Sequence, residues 1–96
     1  MALIEINKLN DLPEGNFEVT VRGSSTVTQH KVTLTQEYYE NLTAGVVSAE
    51  ELVNGSFEFL LARESNTSIL SEFDLRVISN YFPAYEQEMK SKYQSS

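Results

Sequence analysis

The sequence predicts an α+β domain: an antiparallel β-hairpin or three-stranded sheet packed against three to four helices. Three observations carry this. Phe17 to Arg22 alternates apolar and polar residues and is followed by a β-branched stretch that reads as its return strand. Ser48 to Glu64 spreads Leu52, Val53, Phe57, Phe59, Leu60 and Leu61 around well over half of a helix circumference. Leu75, Ile78, Phe82, Tyr85 and Met89 recur at steps of three and four, which is one face of a helix. Strands that precede helices, rather than alternate with them, point to α+β.

In chain order, Leu3, Ile4 and Ile6 offer a short strand, and Asn10 to Asn16 is turn chemistry at nearly every position. In the hairpin, Phe17, Val19 and Val21 point to one side and Glu18, Thr20 and Arg22 to the other. Gly23 to Ser25 turns the chain into Thr26–Leu34. Val32 and Leu34 share a face with His30 and Thr28, while Val27 falls on the opposite face. A bulge near Thr28–Gln29 is expected to reconcile the two halves. Thr35 reads as the N-cap of a short helix, Gln36 to Leu42, which buries Tyr38 or Tyr39 with Leu42 and ends at Gly45.

Ser48 and Glu51 have capping-box spacing at the start of the strongly apolar helix. Only Glu51, Asn54, Glu58 and Ala62 form a solvent line, so this helix is expected to be central and covered from more than one side. Gly55–Ser56 interrupts it with a pair whose smallness admits another element closely. Glycine costs ~1 kcal/mol against alanine in a helix interior, so the expected reason is packing against the hairpin or the last helix. Glu64 to Thr67 breaks the helix, and Ser68 to Phe73 has the spacing of a single helical turn. Asp74 can cap the next helix. Pro83 interrupts that helix, and an interior proline costs ~3 kcal/mol, yet the apolar stripe keeps its phase across it. The expectation is therefore a bend before Pro83 that keeps Phe82 and Tyr85 on the central helix. Gln87 to Ser96 turns polar, so residues 90–96, like residues 1–15, are expected to be less ordered.

Ninety-six residues with 41% hydrophobic content make one domain able to bury a core. The absence of cysteine excludes disulfides, thiolate nucleophiles and cysteine metal sites. A formal net charge of −7 repels phosphate backbones and anionic membranes, and favours a basic protein partner. The opening residues lack a secretory pattern and no stretch reaches membrane-spanning length, so a cytoplasmic protein is expected. Three Asn-x-Ser/Thr triplets matter only in a secreted chain.

The chemistry-bearing residues are few. The single histidine, His30, lies on an apolar strand face, where a hydrogen-bonded structural role outweighs a catalytic one that would need an orienting carboxylate and a nucleophile. No calcium loop, phosphate loop or dinucleotide fingerprint is present, so no metal, cofactor or catalytic residue is assigned. Tyr81, Tyr85 and Tyr93 are candidate interface residues, because tyrosines are frequent interface anchors. Phe82 and Tyr85 also continue the core stripe. The hairpin carries Arg22 and Lys31 as its cations.

The hairpin V-T-V-R-G-S-S-T-V-T-Q-H-K-V-T-L, with Y-Y-E-N-L-T-A-G, S-F-E-F-L-L-A-R-E, S-I-L-S-E-F-D-L and Y-F-P-A-Y-E, resembles a family of small, conserved, uncharacterised bacterial proteins over about residues 17–86. The resemblance implies a bacterial cytoplasmic setting and no activity, ligand or site residue. The expected role is that of a small acidic, non-catalytic adaptor or regulator working through protein–protein contacts, with a basic protein or a second copy as partner. One alternative is a small-molecule binder or enzyme using His30 with Arg63 or Arg76 in a pocket. The other is a strand-based DNA-binding regulator, for which the acidic charge is unfavourable.

Overall fold

The computed structural model describes residues 3–23 and 25–94. It is an α+β fold in which one four-stranded sheet, in the order β1-β2-β3-β4, carries four helices on one face. The hairpin is β2 (Glu14–Arg22) and β3 (Val27–Thr35), paired without interruption from Arg22–Val27 to Glu14–Thr35. Its alternation buries Phe17, Val19 and Val21 on one strand and His30, Val32 and Leu34 on the other. The bulge expected near Thr28–Gln29 does not form. Val27 is exposed because it lies on the outer face beside the hairpin turn, so no register shift is needed.

β1 (Leu3–Asn10) is a strand, antiparallel to β2, with Ile4 opposite Val21 and Ile6 opposite Val19. The register irregularity of the sheet falls here, between Lys8 and Asn10. β4 (Glu72–Asp74) corrects the expectation of a helical turn over Ser68–Phe73. Asn66–Ser68 forms a 3₁₀ turn, and the chain then extends to pair in parallel with β3, Phe73 beside Val32. Ile69 and Phe73 are buried as a helical turn would bury them. The hydrogen bonds gained along β3, beginning with the Lys31 amide donating to the Ser71 carbonyl at 2.8 Å, decide the geometry.

α1 (Gln36–Thr43) starts at Thr35, whose Oγ1 accepts from the Tyr38 amide, and ends in left-handed Ala44 and Gly45. α2 (Ala49–Leu61) starts at Ser48, whose Oγ accepts from the Glu51 amide at 3.1 Å. The Glu51 side chain does not complete the capping box; it lies 3.4 Å from the Tyr93 hydroxyl. α2 is central, as its composition requires. Phe57 meets the sheet, with its ring 5.4 Å from His30 and 6.0 Å from Phe73. Glu51, Glu58 and Ala62 remain exposed.

The last third restarts at Pro83 instead of bending. Asp74 caps a short turn that runs into α3 (Ile78–Tyr81); Phe82 then leaves helical angles (φ −132°, ψ 90°), and α4 (Tyr85–Gln94) begins three residues beyond it. Proline disfavours helical angles at the residue before it, and here that preference wins. The stripe nevertheless keeps its side: Phe59 of α2 meets Phe82 at 5.8 Å and Tyr85 at 5.3 Å. α4 extends through residues 90–94, expected to be less ordered, and buries Met89 and Tyr93 on the same face. It lies antiparallel to α2, with Arg63–Glu88 at 2.7 Å near one end and Lys92–Glu58 at 3.5 Å near the other. Among the described residues no helix is long and apolar enough to cross a membrane.

The Gly55–Ser56 pair is where α4 docks. The Tyr85 hydroxyl lies 2.6 Å from Ser56 Oγ, which also donates to the Leu52 carbonyl at 2.7 Å. Tyr85 is therefore the donor of the first bond. A Cβ at Gly55 would overlap the Tyr93 hydroxyl. Two effects thus compete in Gly55→Ala: a helix-propensity gain of ~1 kcal/mol and displacement of Tyr93. Urea titrations should show Gly55→Ala neutral or destabilising alone, but stabilising by about 1 kcal/mol when Tyr93→Ala is already present. Simple additivity of the two substitutions would mean that Tyr93 does not rest on Gly55.

Candidate apolar groove and the His30 hydrogen-bond chain

An apolar groove of about 290 Å³ lies between the C-terminal end of α2, the segment leading into β4, and α3. Leu60 and Phe73 form part of its lining, Val77 and Ile78 another part, and Glu64 is its one charged residue. Leu70 and Tyr81 also line it, 46% and 65% exposed. They are two of the few large apolar side chains left in solvent. Each is placed by its backbone. β4 pairing turns Ile69 inward and leaves Leu70 outward, and the end of α3 at Phe82 holds Tyr81 off the core stripe.

His30 occupies a different place. Its ring is buried, with Nδ1 2.7 Å from the Leu70 carbonyl and Nε2 2.9 Å from Thr28 Oγ1. A carbonyl only accepts, so Nδ1 carries the proton and Nε2 accepts from the Thr28 hydroxyl. Thr28 Oγ1 in turn accepts from the Asn66 amide at 3.2 Å, and Asn66 Oδ1 accepts from the Thr26 hydroxyl at 3.1 Å. The chain Thr26, Asn66, Thr28, His30, Leu70 has one direction throughout and ties β3 to the segment that carries Leu70. Neither ring nitrogen is left for a substrate.

The other residues singled out from the sequence lie apart from His30. The concavity beside it is lined by Glu18, Gln29, Lys31, Ser71 and Glu72, with no arginine. Arg63 lies 3.6 Å over the Phe59 ring, donates to the Phe59 carbonyl and binds Glu88. Arg76 binds Asp74 at 3.3 Å. The pairing of His30 with an arginine in one pocket is therefore not formed. Of the hairpin cations, Arg22 is held by Glu5 at 3.1 Å. Among the described residues no cluster of three His, Asp or Glu could hold a metal, and no buried side-chain polar atom lacks a partner.

The three candidate interface tyrosines divide. Tyr85 and Tyr93 are buried, and their hydroxyls are taken inside the fold: Tyr85 by Ser56, Tyr93 by the Glu51 carbonyl at 3.1 Å. Only Tyr81 is exposed, and it stands at the groove. Leu70 was missed as a site residue because helical spacing placed it with Ile69 in a turn. The available signal was the adjacent apolar pair Ile69-Leu70, of which an extended chain must expose one member.

Burial holds the Tyr85 hydroxyl protonated well above the ordinary tyrosine range, against a partial lowering by its bond to Ser56. Tyr38 is raised likewise, by burial first and then by its hydrogen bond to Glu86 at 2.8 Å. Tyr93 is pushed up to about 12 by burial and the Glu51 carboxylate. Comparison with protein-family models, curated proteins and solved structures finds no match, and the resemblance to small bacterial proteins gains no support from it.

Two outcomes follow from these contacts. Thr28→Val keeps the shape but leaves His30 Nε2 without a donor and Asn66 without an acceptor, and should cost about 1–3 kcal/mol in a urea titration. A loss below about 0.5 kcal/mol would mean that solvent replaces the chain. In alkali, the unfolded tyrosines ionise near about 10, whereas the folded ones retain their protons. The unfolded state then binds fewer protons, so the tyrosine contribution is intact below about pH 10 and is lost as pH rises through about 12. Denaturation midpoints measured across this range should fall, and fall less steeply in Tyr85→Phe. An equal slope in that variant would remove Tyr85 from the account.

Proposed function

We propose that this chain is a non-catalytic adaptor or regulator that binds a protein segment in the apolar groove. The observation that carries the reading is the pairing of Leu70 with Tyr81: two large, exposed side chains flanking one concavity, in a chain whose buried side-chain polar atoms, among the described residues, are satisfied internally. Aromatic and aliphatic residues around a hollow are the anchors of peptide recognition, whereas catalysis needs polar groups free to meet a substrate.

The occupant follows from charge. The chain carries −7, Glu64 is the charged group in the groove, and the neighbouring cations Arg63 and Arg76 are both engaged by carboxylates. A segment with one or two large apolar side chains flanked by lysine or arginine fits. Its apolar groups fill the groove while its charges meet the acidic surroundings, which raises the association rate and makes binding salt-sensitive. Helix-in-groove docking is the corresponding mode, with anchors at three- and four-residue spacing.

Selection from a random peptide library on the intact protein tests this. Enriched peptides should combine large apolar and basic residues, bind less well at raised salt, and lose at least about tenfold in affinity to Leu70→Asp or Tyr81→Ala. Both positions are solvent-exposed, so circular dichroism should show the variants folded. Failure to enrich any peptide, or enrichment that both variants retain, would overturn the reading.

A further inference from the structure

We propose that β1 is a self-association edge, at which a second copy of this chain pairs antiparallel to extend the sheet. The sheet has two edges. β4 is three residues long and carries Glu72 and Asp74, so it is short and charged in the manner of a protected edge. β1 is eight residues long and, among the described residues, pairs on one side only, with β2. It carries no proline, and its irregularity is confined to the Lys8–Asn10 end. Its exposed Leu3 and Leu9 are 57% and 52% accessible, and its inner-face Ile4 and Ile6 are only half-buried against the core.

Symmetry and charge select the register. A two-fold axis perpendicular to the sheet keeps the helices of both copies on one side, so residues of the same face must oppose each other. Centring the axis on Ile6 sets Ile6 against Ile6 and Leu3 against Leu9, with Ile4 opposite Lys8 and Glu5 opposite Asn7. This register opposes no like charges. Moving the axis to Glu5 sets Glu5 against itself. Moving it to Asn7 sets Glu5 against Leu9, Ile6 against Lys8 and Asn7 against itself, which loses every apolar pair. Cross-strand pairs of this kind are the unit of sheet stability.

The occupant is a second copy because the strand is locally neutral within an acidic chain. Between Leu3 and Asn10 the charges are Glu5 and Lys8, which cancel, and Arg22 lies 3.1 Å from Glu5. Two molecules of charge −7 therefore meet along an edge that adds no net charge of its own to their repulsion. One strand pair is a small interface, so the dimer is concentration-dependent rather than permanent.

Sedimentation of the full chain over a concentration series tests the proposal. The mass should rise from one chain toward two, and Leu3→Lys with Leu9→Lys should hold it at one chain while leaving the circular dichroism unchanged. The sequence has no cysteine, so single introduced thiols report the register. Under mild oxidation Ile6→Cys should cross-link faster than Asn7→Cys, since position 6 alone faces its own copy. A monomer at every concentration, a dimer that survives the double lysine variant, or faster cross-linking of Asn7→Cys would each overturn it.

Discussion

The structure depends on the seat that Gly55 and Ser56 provide for two tyrosine hydroxyls. α4 has a mostly polar sequence and presents only Tyr85, Met89 and Tyr93 to the core, a stripe one residue wide. Apolar area alone gives such a helix a weak hold. A tyrosine adds a large ring, but its hydroxyl costs free energy when buried without a partner. Ser56 supplies that partner for Tyr85, and the missing side chain at Gly55 lets Tyr93 reach the Glu51 carbonyl. The ~1 kcal/mol that glycine costs in a helix is offset by the contact it permits. Once α4 is seated, the Tyr38 hydroxyl meets Glu86 and Gln94 meets the Asn41 carbonyl, which fixes α1 on the other flank.

Local features were legible in the sequence where the physics is local. The hairpin alternation, the Thr35 and Ser48 caps, and the end of α1 before Gly45 each depend on a few neighbouring residues, and each is found. The centrality of α2 was also legible, because an all-round apolar helix can be satisfied in few ways. What was not legible depends on distant residues. β4 exists because β3 offers it hydrogen bonds, and Ile69 and Phe73 suit a helical turn equally well. At Pro83 the stripe and the proline gave opposite answers. The structure satisfies both, breaking the helix at Phe82 and resuming it with Tyr85 on the same side.

The candidate site was legible only in part. Tyr81 could be singled out because it falls off the stripe that Phe82 and Tyr85 continue. Tyr93 could not be told from it, since its partners on α2 are some forty residues away in sequence; the bond to the Glu51 carbonyl spans 42. His30 was readable as a structural residue from its apolar face, but the carbonyl that its Nδ1 meets, that of Leu70, comes from a segment whose conformation was itself misjudged.

Those misjudged places have a common consequence. Pairing of β4 draws Phe73 onto the sheet and leaves Leu70 outside, which builds one wall of the groove. The break before Pro83 ends α3 and leaves Tyr81 beside the same hollow, which builds the other. Where local preference and the final structure disagree, the fold holds something that local stability does not require. In this chain both disagreements meet at Leu70 and Tyr81, and that convergence separates this surface from the scattered exposed apolar residues that any small protein carries.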